Sequence, residues 1–358
     1  MIRLYVVHHT QHVKTNWDKE IEEIKTLNVD RIICDCCDEQ EWTQIFGPFL
    51  DKVLPWVREN NKVIQILAPD IGNVTMENVE VYPTVGVMMT YHNQAVEWIN
   101  DSYNSGLEEK YIANRYPRVQ SPLLYTCYNR NGSYARKKMV DILARDNLLD
   151  LGIVTCHFAD PEHRDGWDYH DASRLLDPLE PDFEFRAKPE YGPAVLPKGY
   201  FKGFFDIVTE SRQDPNELMM TEKTIKSIIN YKPFLVLSYK GYHKEFLSGK
   251  FGYQLYDEMF DYSFDSCDSV EDRIEGIVEN VKRLRDLLTS DESKLNMLAS
   301  ISRKLRFNRA QYFDILHDPD KVIPECLQFV RYTDQYEFYG STFDPLLDHM
   351  KKMNWIKS

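Results

Sequence analysis

The sequence lacks several features that mark common protein classes. It has no apolar stretch of about 20 residues, so we expect no transmembrane helix and no membrane partner. It has no basic excess, because 43 Lys and Arg stand against 57 Asp and Glu, a formal net charge of −14. This balance disfavours a nonspecific nucleic-acid coat protein. The N-terminus lacks the long apolar run of a secretory signal, and we therefore expect a cytoplasmic protein.

Cysteines and metal-ligand patterns are sparse. Seven cysteines, an odd number, do not make the disulfide framework of a secreted domain, so we expect reduced thiols. Residues 34–37 contain one Cys-x-x-Cys but no second pair that would complete a zinc site. Cys156, His157, His163 and His170 fit no standard metal-site spacing. We therefore predict no metal site and no required cofactor.

Three common nucleotide and metal motifs are absent from the sequence. There is no P-loop, no Gly-x-Gly-x-x-Gly and no His-Glu-x-x-His. The kinase, nicotinamide-enzyme and zinc-protease classes are therefore left without the motif that would most directly support them.

The sequence does contain an alternation of strands and helices, which predicts an α/β protein with a parallel sheet. At 358 residues we expect two domains, of about 150 residues each. In the first domain, at 1–118, the predicted strands are 2–7, 30–34 and 62–67, and the predicted helices are 16–27 and, interrupted by prolines, 46–57. Ligands bind at the carboxyl ends of parallel strands. The polar residues at these ends are His8, His9, Asp35, Asp38 and Asp70.

A linker is predicted at residues 115–122, where two prolines stand among polar residues. The second domain, at 121–330, contains a loop-rich insertion at 159–200, and we expect the segment 331–358 to pack back on the first domain. The strands and helices of the second domain are predicted at 123–128, 134–146, 150–156, 204–209, 221–229, 233–238 and 269–288.

The most informative stretch begins at Glu210, which ends an apolar strand. Thr221 is a good N-cap residue, and Glu222 and Lys223 then fall in the first helical turn. A helix start offers free N–H donors and partial positive charge, and a lysine there makes an anion site suited to a diphosphate. An adjacent carboxylate accepts strong hydrogen bonds from sugar hydroxyls. The alternative interpretation is that Glu222 and Lys223 are ordinary exposed helix residues.

The motif Glu210, Thr221-Glu222-Lys223 and Pro233-Phe234-Leu235-Val236 resembles the donor-binding region of GT-B glycosyltransferases. It is most similar to the fucosyltransferase-like group and to phage-encoded glycosyltransferase-like proteins. A second element, Tyr128-Asn129-Arg130 followed by Arg136-Lys137-Lys138-Met139, resembles the first strand–loop–helix of the C-terminal domain in that group. The resemblance covers about residues 121–290. It implies a GT-B-like fold of two Rossmann-like domains facing a central cleft, with the acceptor in the first and the nucleotide sugar in the second.

The resemblance also implies a role for each donor-binding residue. Glu222 would bind the ribose, Lys223 with Arg130 or Arg136 would neutralise the diphosphate, and Glu210 would face the sugar or the base. One feature departs from the common pattern, because the two glutamates are twelve residues apart instead of eight. For the basic residues of 136–138 the alternative is a solvated helix face. The full donor-binding set is Asn129, Arg130, Arg136, Lys137, Glu210, Thr221, Glu222 and Lys223.

The implied reaction is metal-independent, inverting transfer of a sugar from a UDP- or GDP-linked donor to an acceptor hydroxyl. Positive charge and N–H donors suffice to stabilise the departing diphosphate. The acceptor needs a general base from the first domain. The candidates are Asp35, Asp70, His8 and His9, each of which could instead be a capping or turn residue.

Two acceptor classes fit the sequence. A hydroxymethylated pyrimidine in phage DNA is one, because the aromatic segments 82–91 and 191–205 could stack a flipped base. The other is a glycan or glycolipid. A further alternative is a non-catalytic protein that binds a nucleotide sugar or nucleic acid. Basic clusters that could contact DNA lie at 115–118, 130–138 and 282–285.

Overall fold

The computed structural model describes residues 1–9, 16–36, 42–68, 76–83, 121–129, 133–156, 199–210, 220–315, 317–333, 335–340 and 345–356. The chain divides into two compact units. One consists of Met1–Thr90, Asn216–Met219 and Asp314–Ser358, and the other of Tyr91–Pro215 and Met220–Phe313. The predicted linker, apart from Ser121 and Pro122, and most of the predicted insertion lie outside the described residues.

The regular elements alternate along the chain. The strands are β1 (Ile2–His9), β2 (Arg31–Cys36), β3 (Val63–Ala68), β4 (Val79–Pro83), β5 (Leu123–Asn129), β6 (Gly152–Cys156), β7 (Gly203–Thr209), β8 (Phe234–Leu237) and β9 (Tyr336–Gly340). The helices are α1 (Trp17–Leu27), α2 (Trp42–Glu59), α3 (Tyr134–Arg145), α4 (Glu222–Ile229), α5 (Val270–Leu287), α6 (Asp291–Ile315), α7 (Pro319–Val322) and α8 (Pro345–Lys352). A π-helix spans Tyr242–Lys250.

Each unit is α/β and is built on a sheet of parallel strands, as the alternation predicts. The first sheet has the order β4-β3-β2-β1-β9, and the second has the order β6-β5-β7-β8. The helix α1 is capped at both ends by asparagine, because Asn16 accepts from the Lys19 N–H and Asn28 adopts the left-handed conformation. In the described part of the chain, no helix is long and apolar enough to cross a membrane.

The second helix corrects one prediction. Pro48 and Pro55 were expected to interrupt it, yet α2 is continuous from Trp42 to Glu59. A proline inside a helix removes a hydrogen bond and costs about 3 kcal/mol. Seven apolar side chains of α2, Phe46 and Phe49 among them, are buried in the core of the first unit, and burial of each large one stabilises by about 1.5–3 kcal/mol. The buried face of α2 therefore outweighs the two prolines.

The strand β9 joins the sheet beside β1, far from it in sequence. Its last residue, Gly340, pairs with Val6 and has a φ of +93°. A Cβ at this position would lie 2.3 Å from the carbonyl oxygen of Val6. Only glycine therefore fits the end of this strand without moving the backbone of β1.

Replacing Gly340 by alanine is expected to destabilise the first unit by about 1–3 kcal/mol, because of the left-handed backbone and the contact with Val6. The matched control is Gly47→Ala in α2, where an added Cβ has nothing within 4 Å. That change is expected to stabilise by about 0.5–1 kcal/mol. Urea unfolding of both variants measures the change in the free energy of unfolding, which we expect to be a loss for Gly340→Ala and a gain for Gly47→Ala. Equal changes in the two variants would contradict the role of Gly340.

Candidate functional site

The carboxyl end of the second sheet is organised around the buried carboxylate of Glu210. The Glu210 N–H donates to the carbonyl of Leu237 at 3.0 Å, so it continues the pairing of β7 with β8. Its Oε1 accepts from the Thr221 N–H at 3.2 Å and from the Thr224 hydroxyl at 2.5 Å. Its Oε2 accepts from the Thr221 hydroxyl at 2.6 Å. These bonds hold the start of α4 against the end of β7, which is a positioning role.

Thr221 is the N-cap of α4, as the sequence predicts. Its side-chain oxygen accepts from the Lys223 N–H at 3.3 Å while its hydroxyl donates to Glu210. Burial raises the pKa of Glu210, although Lys223 and the two threonines act in the opposite direction. The first turn of α4 is therefore fixed by a small network before any ligand binds.

Glu222 and Lys223 lie together in that first turn. Oε1 of Glu222 is 2.9 Å from Nζ of Lys223, and the Glu222 side chain is 18% exposed. Its other oxygen, Oε2, is buried and has no hydrogen-bond partner among the described residues. Burial opposes the charge of Glu222, but Lys223 and Lys226 outweigh burial and lower its pKa to about 2. Glu222 is therefore an ionised acceptor, and one of its two oxygens is unpartnered among the described residues.

Lys226 is a residue that the sequence analysis did not assign. It is half-buried, burial lowers its pKa, and the charge of Glu222 acts in the opposite direction. The signal in the sequence was its spacing, because residues four apart in a helix share one face. Lys226 adds a second cation to the same face as Glu222.

Two tyrosines that follow β8 also belong to this end of the sheet. The hydroxyl of Tyr242 lies 3.5 Å from Oε1 of Glu210 and 3.5 Å from the hydroxyl of Thr224. The ring of Tyr239 packs edge-on against that of Tyr242, with centroids 5.3 Å apart. The sequence gave no signal for the placement of these two tyrosines, because they simply follow an apolar run.

The second predicted donor element lies beside Thr209. The Thr209 hydroxyl donates to Oδ1 of the buried Asn129, and Nη2 of Arg136 donates to the Thr209 carbonyl at 3.2 Å. Arg136 is buried, so it does not lie on a solvated helix face, whereas Lys137 is half-buried. The structure thus brings Asn129, Arg136 and Glu210 to one end of the sheet. Arg130 lies outside the described residues.

Three of the general-base candidates, His8, His9 and Asp35, lie at the carboxyl end of the first sheet. Asp35 is fully buried in β2, and the register of the parallel strands pairs it with His8 of β1. His9 pairs with Cys36 in the same register, and for both histidines the structure describes the backbone. Asp38 and Asp70 lie outside the described residues.

No group of three or more His, Cys, Asp or Glu side chains that could hold a metal ion occurs within the described ranges. Cys34 and Cys36 are fully buried in the core of the first unit. Cys37, His157, His163 and His170 lie outside those ranges.

Two of the features that suggested DNA binding lie partly within the described residues. In the segment 191–205 the structure describes Tyr200, Phe204 and Phe205, which are buried, and Phe201, which is half-buried. In the cluster 282–285, Lys282 pairs with Asp146 at 2.6 Å, and Arg285 pairs with Asp286 at 2.7 Å. These side chains are partnered by the protein itself.

Comparison of the chain with protein-family models, curated proteins and solved structures finds no significant match.

The ionisation of Glu222 predicts a pH-dependent contribution to stability. Because its pKa falls from 4.5 to about 2 on folding, the stabilisation is present above pH 4.5 and is lost as the pH falls toward 2. We expect Glu222→Gln to lower the free energy of unfolding at pH 7 by about 2–3 kcal/mol, with the difference from wild type disappearing near pH 2.

Urea unfolding between pH 7 and pH 2 measures this difference. The matched control is Glu279→Gln, since Glu279 pairs with Lys282 on the surface and its side chain is 65% exposed. We expect the control to change stability by less than about 1 kcal/mol. A Glu222→Gln effect that is constant across this pH range would contradict the prediction.

Proposed function

We propose that the protein is a nucleotide-sugar-dependent glycosyltransferase of the GT-B-like type. In this proposal the second unit binds the donor, and the first unit binds the acceptor and supplies the base. The observation that carries the proposal is the arrangement of Glu222. One carboxylate oxygen is held by Lys223, and the other is buried without a partner in the described structure, at the start of α4.

The residues at this site suit the two parts of a nucleotide diphosphate. An ionised carboxylate accepts hydrogen bonds from the two ribose hydroxyls, and the low pKa of Glu222 keeps it ionised at any physiological pH. Lys223, Lys226 and the positive end of the α4 helix dipole provide positive charge for the diphosphate. The same charges would stabilise the diphosphate as it leaves, which is the main electrostatic demand of the reaction.

For the base we select His8, with Asp35 as the residue that orients it. Asp35 is fully buried, which does not suit direct contact with an acceptor, and the strand register places it next to His8. A carboxylate beside an imidazole fixes its tautomer and stabilises its protonated form. In the proposed step the acceptor oxygen bonds to the anomeric carbon, the bond from that carbon to the diphosphate breaks, and His8 takes the hydroxyl proton. A single displacement of this kind inverts the anomeric configuration.

The test of donor binding is thermal shift with UDP-, GDP-, ADP- and CMP-sugars on the full chain. A ligand at 100 times its Kd that binds only the folded state stabilises by about 2.7 kcal/mol, which raises the Tm by a few degrees. We expect one nucleotide to give this shift, Glu222→Gln to abolish it, and the surface control Glu279→Gln to keep it. The absence of any nucleotide-dependent shift in the wild-type protein would overturn the proposal.

The acceptor is tested next, with the donor found by binding. The first acceptor is DNA that contains hydroxymethylated pyrimidine, as the resemblance to phage-encoded proteins implies, and the second is an oligosaccharide. Transfer to one and not the other assigns the acceptor class. Donor binding without transfer or donor hydrolysis would support the non-catalytic alternative.

A further inference from the structure

The hydroxyl of Tyr239 is the feature of the second unit that the donor-site residues leave unexplained. Tyr239 lies two residues after the end of β8 and is 5% exposed, and its hydroxyl has no hydrogen-bond partner in the part of the chain that the structure describes. Its ring is held edge-on by Tyr242 at 5.3 Å and by Phe246 at 6.0 Å between centroids. A buried tyrosine hydroxyl normally finds a partner, because leaving it unpaired costs free energy.

Tyr239 stands at the same end of the sheet as the proposed donor site. The ends of β7 and β8 are joined where the Glu210 N–H donates to Leu237, two residues before Tyr239. Tyr242, which packs on Tyr239, reaches Oε1 of Glu210 and the Thr224 hydroxyl, each at 3.5 Å. Glu210 in turn holds the start of α4, where Glu222 and Lys223 lie.

The charges around this hydroxyl select the kind of group it can bind. Burial and the neighbouring carboxylates of Glu210, Asp265 and Glu245 raise the pKa of Tyr239, so its hydroxyl keeps its proton. Negative charge on these carboxylates disfavours a phosphate at this position, since like charges repel. A neutral hydroxyl group is not repelled by these carboxylates, and it can both donate a hydrogen bond to a tyrosine hydroxyl and accept one from it.

We infer that Tyr239 hydrogen-bonds the sugar of the donor and not its diphosphate, which makes it a specificity-determining residue. This inference rests on the proposed donor site. The donor site is then divided by charge: Lys223 and Lys226 bind the diphosphate, and Tyr239 binds the neutral sugar. Loss of one neutral hydrogen bond corresponds to about a 3- to 10-fold loss of affinity.

The experiment compares a nucleoside diphosphate with its sugar conjugate, using UDP with UDP-glucose and GDP with GDP-mannose. Calorimetric titration of the full chain gives the Kd of each ligand for wild type, Tyr239→Phe and Tyr253→Phe. Tyr253 is the matched control, because it is 2% exposed and its hydroxyl also has no partner in the described structure. The groups that act on Tyr253 are the core tyrosines Tyr312 and Tyr256 instead of the carboxylates of the site.

We expect Tyr239→Phe to weaken the nucleotide sugar by about 3- to 10-fold and to leave the nucleoside diphosphate unchanged. Tyr253→Phe is expected to change neither. An unchanged Kd for the nucleotide sugar in Tyr239→Phe, an equal loss for both ligands, or the same loss in Tyr253→Phe would each overturn the inference while the proposed function stands. Failure of the wild-type protein to bind any nucleotide or nucleotide sugar of the thermal-shift panel would overturn the proposed function and the inference with it.

Discussion

Replacing Lys232 by methionine is expected to destabilise the second unit by about 3–5 kcal/mol, because the change leaves a carboxylate buried without its counter-charge. The Lys232 side chain is 2% exposed, and its Nζ lies 2.6 Å from Oδ1 of Asp206. The same nitrogen donates to the Thr126 hydroxyl at 2.8 Å and to the Tyr200 carbonyl at 2.6 Å. All three donor positions of the ammonium are therefore used inside the protein.

Asp206 has further partners, which determine the control experiments. Its Oδ2 accepts from the Ser227 hydroxyl at 2.7 Å and from the Tyr200 hydroxyl at 2.6 Å. The double variant Asp206→Asn with Lys232→Met removes both charges, so we expect it to lose less stability than the two single variants added together. Urea unfolding of the four proteins measures this coupling.

A surface ion pair supplies the comparison for this buried one. Lys240 and Asp268 are 2.7 Å apart, and their side chains are 49% and 91% exposed. Lys240→Met is expected to leave the free energy of unfolding nearly unchanged, because water screens an exposed pair. If Lys232→Met costs no more than Lys240→Met, the buried pair does not hold the unit together as described.

Replacing His8 by asparagine is expected to lower kcat for sugar transfer by about 10²- to 10⁴-fold, since a general base contributes an effect of this size. The Kd of the donor is expected to stay the same, because the proposal places the donor in the second unit. Initial rates with the donor and acceptor identified by the binding and transfer assays give kcat, and calorimetric titration gives the Kd.

The other candidate bases are the controls for His8. His9→Asn is expected to keep most of the activity, because the strand register pairs His9 with Cys36 and not with Asp35. Asp35→Asn is expected to lower kcat and to shift the acid limb of the pH profile, as a residue that orients the base would do. A larger loss in His9→Asn or Asp70→Asn than in His8→Asn would show that another of the four candidates is the base.

Much of the secondary structure followed from local patterns in the sequence. The predicted strands at 2–7, 62–67 and 204–209 are confirmed within two residues at each end by β1, β3 and β7. Their signal was a short apolar, β-branched run, which fits a strand covered on both faces. The N-cap at Thr221 was likewise visible, because capping depends on residues only two or three positions apart.

Elements whose stability depends on distant partners were missed. The strand β9 has half-buried residues and gave no strong pattern, yet it pairs with β1 across more than 300 residues of chain. The helix α6 spans 25 residues without a marked apolar stripe, and the sequence gave no reason to place it. In α2, burial of the apolar face outweighs the helix-breaking cost of the two prolines.

The sequence alone determined that this is an α/β protein, where many of its strands lie and that Glu222 and Lys223 begin a helix. Only the tertiary structure decided what each polar group contacts. Glu210 holds the start of α4, Arg136 is buried beneath the end of β7, and the enclosed hydroxyl of Tyr239 has no partner among the described residues. The physical reason is that periods and caps are set by near neighbours, whereas the burial and pairing of a polar group depend on partners far along the chain. Lys232 reaches Thr126 across 106 residues, a contact that no local pattern encodes.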